Sequence, residues 1–310
     1  MSLNQSLNYL FPGKSEVLKR GVFRHRKRKR QQDQDPPPRA LIRSYQDFDY
    51  CRSYNNDAWE RDDFFYFSKD DEIFWGFSTR PLSRLAAWKA ALKRISDERI
   101  FPAIPKDTHT ALTVVPAEVL ASSRELFHVK HVNLMDYYYF RDIPMRRFEF
   151  LAETLIMETL AGPNAQVPPH PNIIRYHGCR VHRGYITGIV LERLEYTLYK
   201  YVSQPGFRTL DKKAFIAKLR SAVDHVHSLG LAHNDINPSN IMVREIADGQ
   251  QPEPVLIDFG SRGPFGCEVW SQGTPGWYQD EFSTSEKKLD LYSLAKVEKW
   301  LETAGSPDEV

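Results

Sequence analysis

His233-Asn234-Asp235-Ile236-Asn237-Pro238-Ser239-Asn240 sets a carboxylate, Asp235, and an amide, Asn240, five residues apart around a proline. That composition reads as a structured loop. Val255-Leu256-Ile257-Asp258-Phe259-Gly260 follows, and then Gly273-Thr274-Pro275-Gly276-Trp277. Moving a phosphoryl group needs little covalent help. It needs a carboxylate to orient the attacking hydroxyl and oxygen ligands for a divalent ion that masks phosphate charge. Asp235 and Asn240 have the spacing to set a base and an amide ligand around one phosphate. Asp258 ends an apolar run, where a buried strand would hold its carboxylate at the metal, and Gly260 is expected to let the chain turn away. Each piece alone is weak; their order, with a strand–turn–strand between them, is what carries the reading.

Working outward, the region after residue 193 is mostly helical. Residues 211–228 fit a helix capped by Asp211, with Phe215, Leu219, Val223 and Val226 on one face and Gly230 past its end. Short strands are expected at 241–243 and 255–257, and a last helix at 285–301. Upstream, 111–115, 126–132, 173–176 and 185–191 read as extended. Residues 148–160 read as a helix with Phe148, Leu151, Leu155 and Met157 inward. AGPNAQVPPHPN (161–172) is a proline-rich break. Residues 41–105 are dense in aromatics. DFFYF (63–67) and EIFWGF (72–77) flank SKDD, a hairpin pattern. Pro81 then opens an amphipathic helix with Leu82, Leu85, Trp88, Leu92 and Ile95 on one face. This extension is expected to fold back on the rest of the chain.

Residues 1–40 read as a disordered tail, because neither the basic run nor QQDQDPPPR (31–39) can build a core. The chain has 310 residues, with 42 Lys+Arg against 40 Asp+Glu. Eight of those bases lie within 19–30; without them a net charge of +2 becomes −6. The body is therefore mildly acidic, and specific nucleic-acid binding is not expected. The basic run at 24–30 suits a nuclear import receptor or non-specific phosphate contacts. No run of 18 apolar residues exists and no apolar signal core opens the chain, so neither a membrane span nor export is expected. Cys51, Cys179 and Cys267 are too few and too dispersed for a disulfide framework. The location expected is intracellular, cytoplasmic or nuclear.

The chain resembles the eukaryotic protein kinase fold, and more narrowly a group of short fungal proteins carrying that domain. The resemblance runs over about 106–303. It rests on ETLIMETL (153–160), HPNIIRYHGCRVHRG (170–184), ITGIVLERLEYTL (186–198), SAVDHVHSLGLAHNDINPSNIMV (221–243) and PVLIDFGS (254–261). It implies an α+β, two-lobe, kinase-like fold: a small β-rich N-lobe (106–192) and a shortened helical C-lobe (193–304) lacking the last helices, with a polar tail at 305–310. It implies ATP and Mg²⁺ or Mn²⁺ as cofactors and an unknown protein substrate. Asp235 then matches the catalytic-loop base, Asn240 and Asp258 the metal ligands, and Lys130 the lysine that holds the α- and β-phosphates. Glu153 matches its helix partner, with Glu158 as rival, and an exposed strand lysine is the bland alternative for Lys130. Glu192 C=O and Leu194 N–H match the adenine-pairing hinge. Thr274 matches the threonine that steadies the base, and Asp290 the carboxylate that braces the loop.

The departures are as specific. No glycine occurs between Gly76 and Gly162, so the glycine-rich phosphate loop is missing. Asn234 stands where an arginine reads a phosphorylated activation loop, so control by phosphorylation of 261–280 is not expected. Asn237 stands where a lysine approaches the transferred phosphate. These departures keep two alternatives open beside an active Ser/Thr kinase: a pseudokinase scaffold, and a kinase-like small-molecule phosphotransferase.

Overall fold

The computed structural model describes residues 42–305, apart from 56–57, 69, 81–83, 106–111, 135–144, 164, 166, 247–249 and 270. The expected disordered tail, the basic run and Leu82 lie outside the described residues, as do 306–310.

The aromatic extension forms an antiparallel sheet of β1 (Asp49–Asn55), β2 (Ala58–Phe67), β3 (Ile73–Ser78) and β4 (Lys93–Ile95), in that order. The expected hairpin is its centre, with Phe65 opposite Trp75 and Phe67 opposite Ile73. Strand alternation explains the density of rings. Phe65, Ile73, Phe67 and Trp75 join the main core with Val132, Leu134 and Phe150. Phe64, Tyr66 and Phe74 form a second core with Ile42, Phe48 and Leu92, against which Leu85 and Trp88 pack. Both faces of the sheet are thus covered, and each fully buried ring contributes about 2 kcal/mol.

One expectation is corrected here. Among the described residues the helix expected from Pro81 to Ile95 is only α1 (Leu85–Ala91); Leu92 is extended, and the chain enters β4. Pairing Ile95 with Ile73 and Arg94 with Phe74 satisfies the backbone on the β3 edge, which a longer helix would leave open. The apolar stripe accordingly serves two cores, Leu92 in the small one and Ile95 in the main one.

After α2 (Asp97–Ile100) and α3 (Ala117–Ser122) comes a second sheet: β5 (Phe127–Lys130), α4 (Met145–Ala161), β6 (Tyr176–His182) and β7 (Tyr185–Glu192), ordered β5-β7-β6. Helix α4 buries Phe150, Leu155, Ile156, Met157 and Leu160, while Phe148, expected inward, is exposed. Of the extended segment read at 111–115, residues 113–115 lie beside β6 through Cys179 N–H to Thr113 O (2.7 Å) and Val115 N–H to Cys179 O (3.0 Å). Residues 173–176 make one parallel bridge, Ile173 to Leu256, and the strand runs on from Tyr176. Its polar sequence and two register shifts hide the period-two signal.

The remainder comprises β8 (Tyr196–Thr197), α5 (Leu198–Tyr201), α6 (Lys212–Ser228), β9 (Leu231–Ala232), β10 (Ile241–Arg244), β11 (Glu253–Leu256), β12 (Gly263–Pro264) and α7 (Lys287–Thr303). Asp211 caps α6 by accepting from Ala214 N–H at 2.9 Å, and Phe215, Leu219, Val223 and Val226 are buried. Two small sheets, β11-β10-β8 and β12-β9, stand beside the two long helices. The architecture is mixed α+β, with β-rich structure in the N-terminal half and helices dominating after it. Among the described residues no helix is long and apolar enough to cross a membrane.

Two outcomes follow. Deleting 1–100 strips the cover from Val132, Leu134 and Phe150, so the 101–310 fragment should be insoluble; a soluble fragment with a cooperative melt would contradict the packing. Burial, then the neighbouring Arg180 charge, pulls the His131 imidazole from its ordinary 6.5 down to about 4. Between those values the unfolded chain binds more protons than the folded one, so stability falls as pH drops from 6.5 to 4. His131→Gln should flatten that slope by on the order of 2 kcal/mol at pH 4, measured by urea melts across the range. A residual slope should remain from His128, His170, His177 and His225, whose imidazoles burial also lowers.

Candidate functional site

Lys130 is the last residue of β5, and Glu153 lies two turns into α4. The Lys130 Nζ donates to Glu153 Oε1 at 2.6 Å and to Asp258 Oδ1 at 2.8 Å. Burial disfavours the ammonium, but the Glu153 and Asp258 charges outweigh it and raise its pKa. Burial likewise works against the Asp258 carboxylate, but the Lys130 charge prevails and holds its carboxyl below the usual range. The rival Glu158 points elsewhere: it accepts from Thr113 Oγ1 at 3.0 Å and Tyr176 Oη at 2.8 Å. Lys130 is therefore not the exposed strand lysine of the bland reading.

Asp258 follows β11, and the turn there differs from expectation. Asp258 itself takes φ 61°, whereas Gly260 contributes its N–H to Asp258 Oδ1 at 3.1 Å. A left-handed aspartate costs about 1 kcal/mol. Its side-chain bonds to Gly260 and Lys130 offset that.

The 233–240 loop is organised by Asp290 on α7, which is fully buried. Asp290 accepts from His233 N–H (2.7 Å), Asn234 N–H (2.7 Å) and His227 Nε2 (2.8 Å). Those bonds hold the backbone through Asn234, which adopts φ 64°, a conformation asparagine tolerates better than most residues. Asp235 follows, half-exposed. Its Oδ1 accepts from Asn237 Nδ2 (2.9 Å) and Thr274 N–H (2.8 Å), and its Oδ2 from Asn240 Nδ2 (2.8 Å). Asn237 Nδ2 also reaches Thr274 Oγ1 at 3.2 Å. The close approach requires Gly273: it has φ 77°, and a Cβ there would stand 2.5 Å from Asn234 O.

Asn240 donates both to Asp235 O and to its carboxylate, so its amide oxygen is the group left to meet a ligand. With Asp258 it offers hard oxygen donors, a set that fits magnesium or manganese. Among the described residues no cluster of three His, Cys, Asp or Glu presents a metal site elsewhere. The Glu192 side chain is taken by Arg244 and by Arg175 N–H (3.0 Å), and its own N–H donates to Arg175 O at 3.0 Å. Leu194 packs half-buried against the main core.

Several residues escaped the sequence reading. His227 anchors Asp290 from α6. Ser285 donates to Gly263 O at 2.9 Å and accepts from Asn234 Nδ2 at 3.0 Å, and the same amide reaches Ser261 O at 3.0 Å. Asn234 thus ties the start of the 261–285 segment to its end without a charge. Arg262 is buried beside the Glu153, Glu149 and Asp258 charges, and burial lowers its pKa to about 10. No periodicity marks any of them, because their partners are distant in sequence.

A protein-family model described as the protein kinase domain matches residues 121–297. The chain is similar to the serine/threonine-protein kinase/endoribonuclease IRE1 of Hypocrea jecorina, 32% identical over 127 residues, covering 36% of this chain and 10% of that protein. It is 28% identical over 152 residues to the human serine/threonine-protein kinase/endoribonuclease IRE2, covering 44% of this chain and 16% of that protein. It is 34% identical over 113 residues to mouse homeodomain-interacting protein kinase 1, covering 35% of this chain and 9% of that protein. The chain spans less than a fifth of the length of these relatives. With more than half of its residues matched, it belongs to the protein kinase domain family.

Asp290→Ala should cost about 3 kcal/mol, because it leaves buried donors on residues 227, 233 and 234 without an acceptor. Urea denaturation followed by tryptophan fluorescence measures this, and a loss under about 1 kcal/mol would mean the loop does not depend on that carboxylate.

Proposed function

We propose that the chain is an ATP-dependent phosphotransferase acting on protein serine or threonine hydroxyls. The observation that supports it most directly is the Lys130 ammonium lying between Glu153 and Asp258. That arrangement brings the β5–α4 half and the β10–β11 half together at one ammonium. In this reading 106–192 is the small lobe and 193–304 the large one.

Lys130, steadied by Glu153, would hold the α- and β-phosphates, and Asn240 and Asp258 would hold the metal. The backbone at Glu192 and Leu194 would pair with adenine. When bound, Mg·ATP supplies the transferable γ-phosphoryl group and the charge neutralisation it needs. Asp235 is the acceptor for the proton of the attacking hydroxyl. Its Oδ1 is filled by Asn237 and Thr274 N–H, and its Oδ2, with one donor from Asn240, keeps capacity for that proton. Asn237 spans Asp235 and Thr274 as a neutral group, so it aligns the base but adds no positive charge at the phosphate. A preorganised donor lost at such a site costs about 10²–10³ in rate, and slow turnover is the expected consequence.

The clasp of Asn234 with Ser261 and Ser285 supports activity independent of phosphorylation in 261–280. In this reading the substrate is a protein, the chain acts in the cytoplasm or nucleus, and the basic run at 24–30 meets an import receptor or phosphates.

A scaffold with weak nucleotide binding is the second reading. It is favoured by β5, which pairs only with β7 among the described strands, in a segment without glycine. Radiolabelled ATP with Mg²⁺ or Mn²⁺ and a broad protein panel separates the two. Wild type should label substrate and Asp235→Asn should fall by about 10³-fold or more. Equal incorporation by the two would end the catalytic reading, and a thermal shift with Mg·ATP lost in Asp258→Ala would then leave an inactive nucleotide binder.

A further inference from the structure

Among the described residues strand β5, which carries Lys130, has a ladder partner on one side only, and that pairing ends at Lys130 opposite Ile189. A short edge strand is a poor platform for a group that must be placed to a fraction of an ångström. Helix α4 has the same difficulty, since residues 135–144, outside the described residues, separate Glu153 from Lys130 along the chain. The 42–104 extension meets α4, the 131–134 segment that follows β5, and the β6–β7 hairpin.

On the strand side, Phe67 packs on the His131 ring, centroids 5.3 Å apart, one residue past Lys130. Val132 and Leu134 lie in one core with Phe65, Ile73, Ile100 and Phe101. On the hairpin side, the β2–β3 turn presents Asp71, 5% exposed and with φ 59°. Its carboxylate pairs with Arg180 and accepts from the fully buried Thr187 Oγ1 at 2.8 Å. Arg183 donates to Asp71 O at 3.2 Å and to Asp97 Oδ2 at 2.6 Å. Where β5 runs out along β7, the extension takes over: Ile186 N–H donates to Pro102 O at 2.9 Å, and Ala103 bridges Tyr185. On the helix side, Arg147 donates to Glu98 O, closing α2 onto α4 six residues before Glu153.

We propose that residues 42–104 are a built-in positioning element for the Lys130–Glu153 pair, anchored by Asp71 on the sheet and by Arg147 on α4. The proposal rests on the phosphotransferase reading of that pair. The extension takes the place of an outer ladder partner for β5 and of a separate partner for α4. Asp71 and Arg147 are positioning residues; neither reaches the site itself. A left-handed aspartate set into a sheet beside a buried threonine and an arginine costs backbone strain and desolvation. That cost goes toward fixing one register between the two sheets.

The test uses the full chain, with Asp71→Asn, Arg147→Ala and the conservative Arg147→Lys. Amide hydrogen exchange is read without nucleotide in α4 and β5, with α6 as internal reference, and the Kd of Mg·ADP is read by calorimetry. Asp71→Asn and Arg147→Ala should speed exchange in α4 and weaken Mg·ADP by about fivefold or more, α6 staying within about twofold, with Arg147→Lys near wild type. Unchanged α4 exchange in both variants, α4 and α6 accelerating together, or faster α4 exchange with an unchanged Kd would overturn the proposal. A wild-type chain that binds no Mg·ADP would sink the nucleotide reading alone, and the exchange pattern would still decide whether the extension holds α4.

Discussion

The ammonium of Lys130 sits between two carboxylates that arrive from α4 and from the end of β11, 23 and 128 residues away along the chain. Of the three charges only Glu153 is buried, and the cost of taking its carboxylate from water is offset only while the half-exposed Lys130 and Asp258 stay at hydrogen-bonding distance. Much of the remaining architecture can be understood as meeting that condition. Helix α4 buries Leu155, Ile156 and Leu160, which sets the direction of Glu153. Strand β11 is held between β10 and the Ile173–Ile174 segment, which sets the position of Asp258.

The loop beside this cluster follows a different economy. One buried carboxylate, Asp290, gathers donors from α6 and from two consecutive backbone amides. From there the order passes through neutral groups: the amides of Asn234, Asn237 and Asn240, the hydroxyls of Ser285 and Thr274, and the Thr274 N–H. Such a network is strong only when every member is satisfied, because a half-made buried network is worse than none. It also lowers the positive charge around Asp235. The loop is accordingly well ordered yet poor in cations, the combination expected of a site that aligns groups better than it grips phosphates.

The aromatic extension bears on both features. Its two-sided sheet is covered by α1 on one face and merges on the other with the core that holds Val132 and Phe150. The segment that follows the Lys130 strand is thereby packed in the main core.

The helices α6 and α7, the β2–β3 hairpin and the order of the 233–240, 255–260 and 273–277 stretches were readable in the residues, because caps, periodicity and loop composition are local properties. Membership of the protein kinase domain family was readable for the same reason, since its marks are short motifs in a set order. The tail of α1 was misread because Leu92 and Ile95 keep helical spacing while the free edge of β3 draws them into a strand. Strand β6 was missed because its register shifts break the alternation, and Phe148 was placed inward on a face that turned out to be solvent. The roles of His227, Ser285, Arg262 and Asp71 had no local signal at all. Composition and periodicity determined which elements form and which residue types carry chemistry. Only the tertiary structure decided which carboxylate meets Lys130, where the left-handed residue falls and what covers β5, because buried charges and open strand edges are satisfied by whatever the fold brings near them, regardless of distance along the chain.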